Sequence, residues 1–476
     1  MLKRYSMQFY KDFYLVISLD FKGRLNVIGD FLNYQEDKLA RALIIFNEKS
    51  KINLDWFKVY MVQLYGLSDY KSFVDMIVFF DKFLVKKIES FRETNFWLEA
   101  EEKWLFLACC LEWERYTEIG TLYETGLPIY FDATYSATKI VCSYLYLVDY
   151  ARDLNLLKST KFDKLGDFYI IVINKYKEYL KQNNKSFFEH ITLILKTDLV
   201  WRKLFKNIVM TLFYGLTRSG INKKLMSKID ELGLQDMNGD DIKILGLTFY
   251  NFIQTIPLFG ELFLIDSLVK EIRSTIKLKS KLSSFTNEDD PFFELNIFYS
   301  NIYKKSIAFD RIIKGLRVYK KTSFIFHELG VLDDKKQFVS FKANLTHHLD
   351  ALIVFNVIDR CVKANINLSV IFDCFGVLMK DIDQLNVIVR ESYKSLLLDN
   401  KESVKNFLNQ VNTESRLPMR DVVAKNILKD IEEKQQREPN IFNIEESLYL
   451  ICILSKKNLE KIYLIIKNCY FFNFYI

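Results

Sequence analysis

Two short apolar runs, Ile129-Tyr130-Phe131 and Val370-Ile371-Phe372, each end in an aspartate, Asp132 and Asp373, in a chain otherwise patterned for helices. A lone aspartate at the tip of an apolar strand has an ordinary reading as a turn cap. Two of them, separated by a large helical insertion, open a second reading: the strands converge in space and offer paired carboxylates to divalent cations. Such a pair suits phosphoryl transfer, where two ions roughly 3.5–4 Å apart stabilise the attacking and leaving oxygens.

The surrounding pattern is mostly helical. Over 36–118, apolar residues recur at spacings of three and four (Leu39, Leu43, then Val59, Val62, Tyr65), and 136–152, 163–184, 346–364 and most of the last hundred residues read the same way. The stretch from Asp198 to Thr217 is a strong helix, with Asp198 as N-cap and Gly215 at its end. Extended chain is expected over 13–32, broken at Gly23–Arg24, as a strand over 127–134, and as strand–turn–strand over 366–380 with Asp373 at the turn. Residues 282–300, with Asn287, Asp289, Asp290 and Pro291, read as a loop. Only 15 Gly and 5 Pro occur in 476 residues, which favours long helices with short turns over a β-sandwich or Pro-rich linkers. The fold class is therefore α+β, mostly helical.

The longest uncharged run, Ile244 to Gly260, includes Asn251, Gln254 and Pro257, and is short and polar for a membrane span of about 20 residues; it reads as a Pro-kinked core helix. The seven cysteines form no CxxC, and Cys109 and Cys110 read as buried thiols in a reducing interior. Four scattered histidines make no metal cluster, which leaves the pair His347–His348 to follow. The N-terminus reads as neither a secretory signal nor a transit peptide.

A charge of +7 permits a nucleic-acid partner without arguing for one. Its distribution says more. Basic residues concentrate over 270–281 and again over 304–321, where Lys304, Lys305, Arg311, Lys314, Arg317, Lys320 and Lys321 alternate with Phe309, Ile312, Ile313 and Tyr319. Two readings stand for the second block: a solvated helix face over the core, or a surface that tracks phosphates and gains affinity by releasing counterions. On the 198–217 helix, Arg202 and Lys206 are four apart and share a face, with Tyr214 offset toward the helix end. Two stacked cations repel each other and call for an anion such as a triphosphate.

At this point the segments resemble, in order, the single-subunit, bacteriophage-type DNA-directed RNA polymerases, including mitochondrial and linear-plasmid enzymes. Asp20-Phe-Lys-Gly-Arg24 is similar to the family's Asp-Trp-Arg-Gly-Arg, and Phe106-Leu-Ala-Cys109 followed by Glu112 to the helix before its first catalytic strand. Phe131-Asp132-Ala-Thr-Tyr-Ser-Ala resembles Phe-Asp-Gly-Ser/Thr-Cys-Ser-Gly, and Phe372-Asp373-Cys-Phe-Gly376 resembles His-Asp-Ser-Phe-Gly. Arg202-x-x-x-Lys206 with Val209-Met-Thr-Leu-Phe-Tyr-Gly215 is close to the fingers helix, the most specific match. Asn344-Leu-Thr-His347 and then Asp350 resembles Asn-Phe-x-His-x-x-Asp. The chain departs from the pattern at Phe21, Lys22, Ala133, Ala137, Lys139 (where glutamine is usual) and Phe372.

The resemblance implies a right-hand polymerase with palm and fingers and a small antiparallel palm sheet, without the N-terminal domain and most of the thumb. It implies a palm base with the first catalytic strand over 1–150, a fingers insertion over 151–345, and the second catalytic hairpin with C-terminal helices over 346–476. Template-directed RNA synthesis from ribonucleoside triphosphates would use Asp132, Lys206 and Asp373 as catalytic residues, with Asp132 and Asp373 holding two Mg2+ ions. Arg202, Lys206, Tyr214, His347 and Tyr169 would bind the nucleotide, and Arg24, Lys314 and Arg317 the template or hybrid. The partners implied are a DNA template, the RNA product and the triphosphates, for a monomer without a membrane, in the mitochondrion and encoded by the organelle or its plasmid. Two alternatives stay open: a DNA polymerase of the same superfamily, and an inactive remnant that binds nucleic acid.

Overall fold

A tight turn between two short strands sets the first element. Val16–Leu19 (β1) and Leu25–Ile28 (β2) pair antiparallel, from Val16↔Ile28 to Leu19↔Leu25. Gly23 takes φ +88, a left-handed conformation that costs glycine little, and the Arg24 amide donates to Asp20 Oδ1 at 2.9 Å. The break expected at Gly23–Arg24 is there. The computed structural model describes residues 13–20, 23–29, 32–66, 72–133, 135–144, 146–157, 166–212, 218–234, 236–256, 259, 277–280, 293–296, 300–313, 316–332, 334–399, 429–434, 436–437, 450–451 and 472–474. From 277 to 342 it describes backbone elements alone.

The helix expected over 36–118 is instead several helices interrupted by strands. Ile44–Phe46 (β3) pairs with Phe472–Phe474, and Ser50–Lys51 (β4) pairs with Glu124–Thr125 (β5). Consecutive β-branched residues, Ile44 and Ile45, resist helix and suit a pleated surface. Helices follow at Leu54–Tyr65, capped by Asn53 and ended by Gly66 at φ +105, at Phe73–Phe79, opened by a Ser72/Asp75 capping box, and at Lys103–Ile119. Cys109 and Cys110 are buried in the last of these, as expected. The strand expected over 127–134 is Ile129–Ala133 (β6).

Beyond the helix Ser136–Tyr144 lies a layer of helices: Phe168–Asn183, Lys185–Leu195, Asp198–Leu212, Arg218–Leu232 and Gly239–Ile253. The last of them stops before Pro257, which cannot continue a helix. Tyr176 anchors this layer. Its ring contacts Trp201, Phe205, Phe249 and Phe252 at centroid distances of 4.9–6.4 Å, and its hydroxyl donates to the Leu245 carbonyl at 2.9 Å.

Where the basic blocks are described they are strands, and the helix-face reading of 304–321 falls. Lys277–Ser280 (β7) pairs with Phe293–Asn296 (β8), and Ser300–Ile313 (β9) pairs with Leu316–Leu332 (β10) in a long antiparallel ribbon. The loop expected over 282–300 thus contains part of a strand. Isoleucine, phenylalanine and tyrosine interleaved with lysine fit a pleated ribbon better than a helix. From Asp334 to Lys363 runs a long helix that contains the one expected over 346–364.

Ser369–Ile371 (β11), Cys374–Val377 (β12), β6 and Leu450–Ile451 (β13) form a four-stranded antiparallel sheet in the order β11-β12-β6-β13. Helix Ile382–Lys394 follows it. The architecture is mostly helical with small antiparallel sheets. Among the described residues, no helix is long and apolar enough to cross a membrane.

Gly376 sits opposite Tyr130 in the β12–β6 ladder, and a Cβ there would lie 2.5 Å from Tyr130 Cε1. Tyr130 is itself buried, with its hydroxyl 3.3 Å from Ser369 Oγ, so its ring has nowhere to go. Gly376→Ala is expected to destabilise the protein by about 1–3 kcal/mol through overpacking. The measurement is a lower denaturant midpoint at unchanged m value; a midpoint equal to wild type would mean the sheet yields at this position.

Candidate active site

The ladder register brings the two sequence-distant aspartates together. Asp132 on β6 lies opposite Cys374 on β12, and Cys374 directly follows Asp373. Asp373 is the second residue of a two-residue turn, because Ile371 and Cys374 pair across it. The first turn residue, Phe372, takes φ +57, where a side chain other than glycine carries roughly 1–3 kcal/mol of strain. Its ring lies under the Arg24 guanidinium, 5.4 Å from carbon to centroid. A third carboxylate, Asp350, enters from the Asp334–Lys363 helix, and Ser136 Oγ donates to its Oδ1 at 2.9 Å.

Burial and mutual repulsion set the electrostatics. Burial, then the charges of Asp373 and Asp350, pushes Asp132 well above the usual carboxylate range, against Lys206 and the Ala133 backbone. Asp350 is pushed up to about 7 by burial and Asp373, opposed by Arg24 and Ser136. Asp373 is raised chiefly by burial, opposed by backbone hydrogen bonding, Ser136, Arg24 and Lys139. Three acids that resist ionisation together are what a divalent cation relieves. Asp132 and Asp373, brought together by the β6–β12 ladder, are the pair that could hold one. Among the described residues, no three His, Cys, Asp or Glu side chains form a metal-holding group on their own.

Cations surround the acids. Lys139, on the Ser136–Tyr144 helix, is 0% exposed; burial and Arg390 pull its pKa well down, while Asp132 and Asp373 pull it up. Lys206 is half-buried, its charge acts on Asp132, and its ammonium lies 5.8 Å from the Tyr169 ring centroid. Arg202, one turn earlier, is buried, and its Nε donates to Asp167 Oδ2 at 2.5 Å. Asp167 Oδ1 meanwhile accepts from the Ile170 amide as N-cap of the Phe168–Asn183 helix. The anion that the Arg202/Lys206 stack calls for is thus met from within the chain at Arg202, and of the two cations it is Lys206 that acts on Asp132.

Other residues singled out in the sequence are distributed unevenly. Tyr169 is buried against Tyr135, with ring centroids 4.8 Å apart, and belongs to this neighbourhood. His347 meets Arg24, whose Nη2 donates to its Nδ1 at 2.7 Å. Arg24 is only 8% exposed. Tyr214 and Lys314 lie outside the described residues, and Arg317 is known only as the β10 partner of Ile312. Sequence reading missed Ser136, Asp167 and Lys139 as members of the site. Their signals are proximity and the motif around Asp132: Ser136 and Lys139 open the helix after that strand, Lys139 standing where glutamine is usual, and Asp167 precedes Tyr169.

A pH dependence follows. Unfolded, Asp350 loses its proton near pH 4; folded, it keeps it to about 7. Across that window the native state binds more protons, so stability falls as pH rises and levels off above it. In metal-free buffer the melting temperature is expected to drop between about pH 5 and 7.5, and Asp350→Asn should reduce the drop. An identical slope in the variant would exclude Asp350 as a contributor.

Comparison with known proteins covers this site. The family model for DNA-dependent RNA polymerase matches residues 47–289 and 294–451. A probable DNA-directed RNA polymerase of Neurospora crassa is 28% identical over 410 residues, 82% of this chain and 45% of that protein. One from Podospora anserina is 26% identical over 441 residues, 83% of this chain and 44% of that protein. The mitochondrial DNA-directed RNA polymerase of Schizosaccharomyces pombe is 24% identical over 408 residues, 82% and 34% of the respective chains. This chain spans less than half the length of these curated relatives. Since the matched segments hold Asp132, Lys206, Asp350 and Asp373, and cover most of the sequence, the chain belongs to the DNA-dependent RNA polymerase family.

Proposed function

We propose that this chain is the catalytic portion of a DNA-directed RNA polymerase that extends a transcript from ribonucleoside triphosphates on a DNA template. The observation that carries the reading is the β6–β12 pairing, which sets Asp132 beside Asp373 under the charge of Lys206. The two aspartates would hold two Mg2+ ions, which when bound lower the pKa of the 3′ hydroxyl and offset charge on the attacking and leaving oxygens. Lys206 meets the triphosphate and donates a proton to the departing pyrophosphate. Arg202 steadies the same helix from its ion pair with Asp167 and adds charge at the triphosphate. Tyr214 and His347 read the 2′ hydroxyl, and Tyr169 lines the sugar side.

In this reading the β11-β12-β6-β13 sheet is the palm, residues 151–345 are the fingers, and the β9–β10 ribbon meets template DNA through Lys314 and Arg317. The mitochondrial relative supports a mitochondrial setting.

Asp132→Asn and Asp373→Asn are each expected to abolish nucleotide addition in a primer-extension assay and to leave template affinity within about twofold, since phosphate contacts elsewhere supply it. Because each change removes a charge from a crowded acidic pocket, neither should lower the metal-free melting temperature. Activity within tenfold of wild type would remove that aspartate from the mechanism. Incorporation of deoxynucleotides in preference to ribonucleotides by the wild type would make the chain a DNA polymerase.

The ribbon makes a separate prediction. Lys314→Ala with Arg317→Ala should weaken DNA binding and flatten the plot of log affinity against log salt by about 0.9 for each phosphate no longer neutralised. An unchanged slope would leave these side chains off the nucleic acid.

A further inference from the structure

Arg24 reaches across 323 positions of sequence to a single ring nitrogen: its Nη2 lies 2.7 Å from His347 Nδ1. A guanidinium donates and never accepts, and in proteins it does not give up its proton. Nδ1 must therefore present its lone pair. The neutral ring then carries its proton on Nε2, since the partner of one nitrogen decides the state of the other. A doubly protonated ring would set N–H against N–H between two positive charges.

The guanidinium is not free to swing away. Its residue is 8% exposed, its amide donates to Asp20 Oδ1 at 2.9 Å, and its Nε lies 3.9 Å from Asp20 Oδ2. Asn26 Nδ2 donates to its carbonyl at 2.9 Å, and the guanidinium face covers the Phe372 ring at 5.4 Å. Three elements far apart in sequence thus fix one cation: the β1–β2 hairpin, the Asp334–Lys363 helix and the strained turn that carries Asp373.

We propose that Arg24 is a positioning residue that fixes His347 as the Nε2–H tautomer, so that the ring donates to the sugar oxygen of the incoming nucleotide. The proposal rests on the reading of His347 as a reader of the 2′ hydroxyl. A hydroxyl can both donate and accept. A histidine confined to donating at Nε2 makes the 2′ oxygen the acceptor. A deoxynucleotide offers Nε2–H no acceptor, and a site built to pair with a hydroxyl rejects the analogue that lacks it.

The test is long-range 1H–15N correlation on the full chain with 15N-histidine, His347 being assigned by its disappearance in His347→Gln. Wild type is expected to show a pyridine-like Nδ1 and a pyrrole-like Nε2 for this residue. Arg24→Met should lose that bias, and Arg24→Lys, which also can only donate, should retain it. In parallel, the ratio of ribo- to deoxynucleotide incorporation should fall by about tenfold or more in Arg24→Met, the scale of one missing hydrogen bond in a dry site, and stay near wild type in Arg24→Lys. A protonated Nδ1 in wild type overturns the proposal without recourse to any variant. So does a wild-type incorporation ratio in Arg24→Met when His347→Ala lowers it. If His347→Ala itself keeps the ribonucleotide preference, the sugar-reading assignment fails, and the spectrum alone then decides whether Arg24 sets the tautomer.

Discussion

Like charges in a poorly solvated pocket dominate this molecule. Asp132, Asp350 and Asp373 come from a strand, a helix and a strand turn, and each is harder to ionise because it is buried in a pocket where acids crowd together. Left alone, such a cluster drives its own elements apart. The surrounding side chains answer that repulsion from different directions. Ser136 ties Asp350 to the helix after β6, Arg24 approaches from the β1–β2 hairpin, Lys139 lies underneath and Lys206 acts from the helical layer. Burial outweighs these opposing charges, and all three carboxyls stay raised above their ordinary range.

The parts of this arrangement legible in the sequence are those with local causes. An apolar run ending in aspartate marks β6 and the β11–β12 turn, and a 3.6-residue rhythm marks the Asp198–Leu212 helix, with Arg202 and Lys206 on one face. What escapes such reading depends on partners remote in sequence. β3 and β4 interrupt an apparently helical stretch because Phe472–Phe474 and β5 come to pair with them. The β9–β10 ribbon is disguised by lysines, whose spacing fits a solvated helix as readily as one strand of a pair. Lys139 runs against pattern altogether: it occupies the buried face of its helix, where Asp132 and Asp373 favour its charge.

Arg202 and Lys206 show how residues that look equivalent on a helix can part company. One helical turn separates them, yet one is buried against an aspartate and the other is half-buried over an aromatic ring near the acids. Periodicity assigns them the same face. Their different surroundings come from the neighbouring Phe168–Asn183 helix, which brings Asp167 to the first and Tyr169 to the second.

That neighbour has a mechanical meaning. The two oxygens of Asp167 are committed to different helices, one holding the first turn of its own and one gripping Arg202. Any rotation or slide of the Asp198–Leu212 helix relative to its neighbour must break either an N-cap or a buried ion pair, losses of about 1 and 3–5 kcal/mol respectively. The ion pair, the costlier of the two to lose, ties the helix that carries Lys206 to the start of the Phe168–Asn183 helix. While that pair holds, a displacement of Lys206 toward the aspartates would carry Tyr169 with it, keeping the cation and the aromatic wall in register.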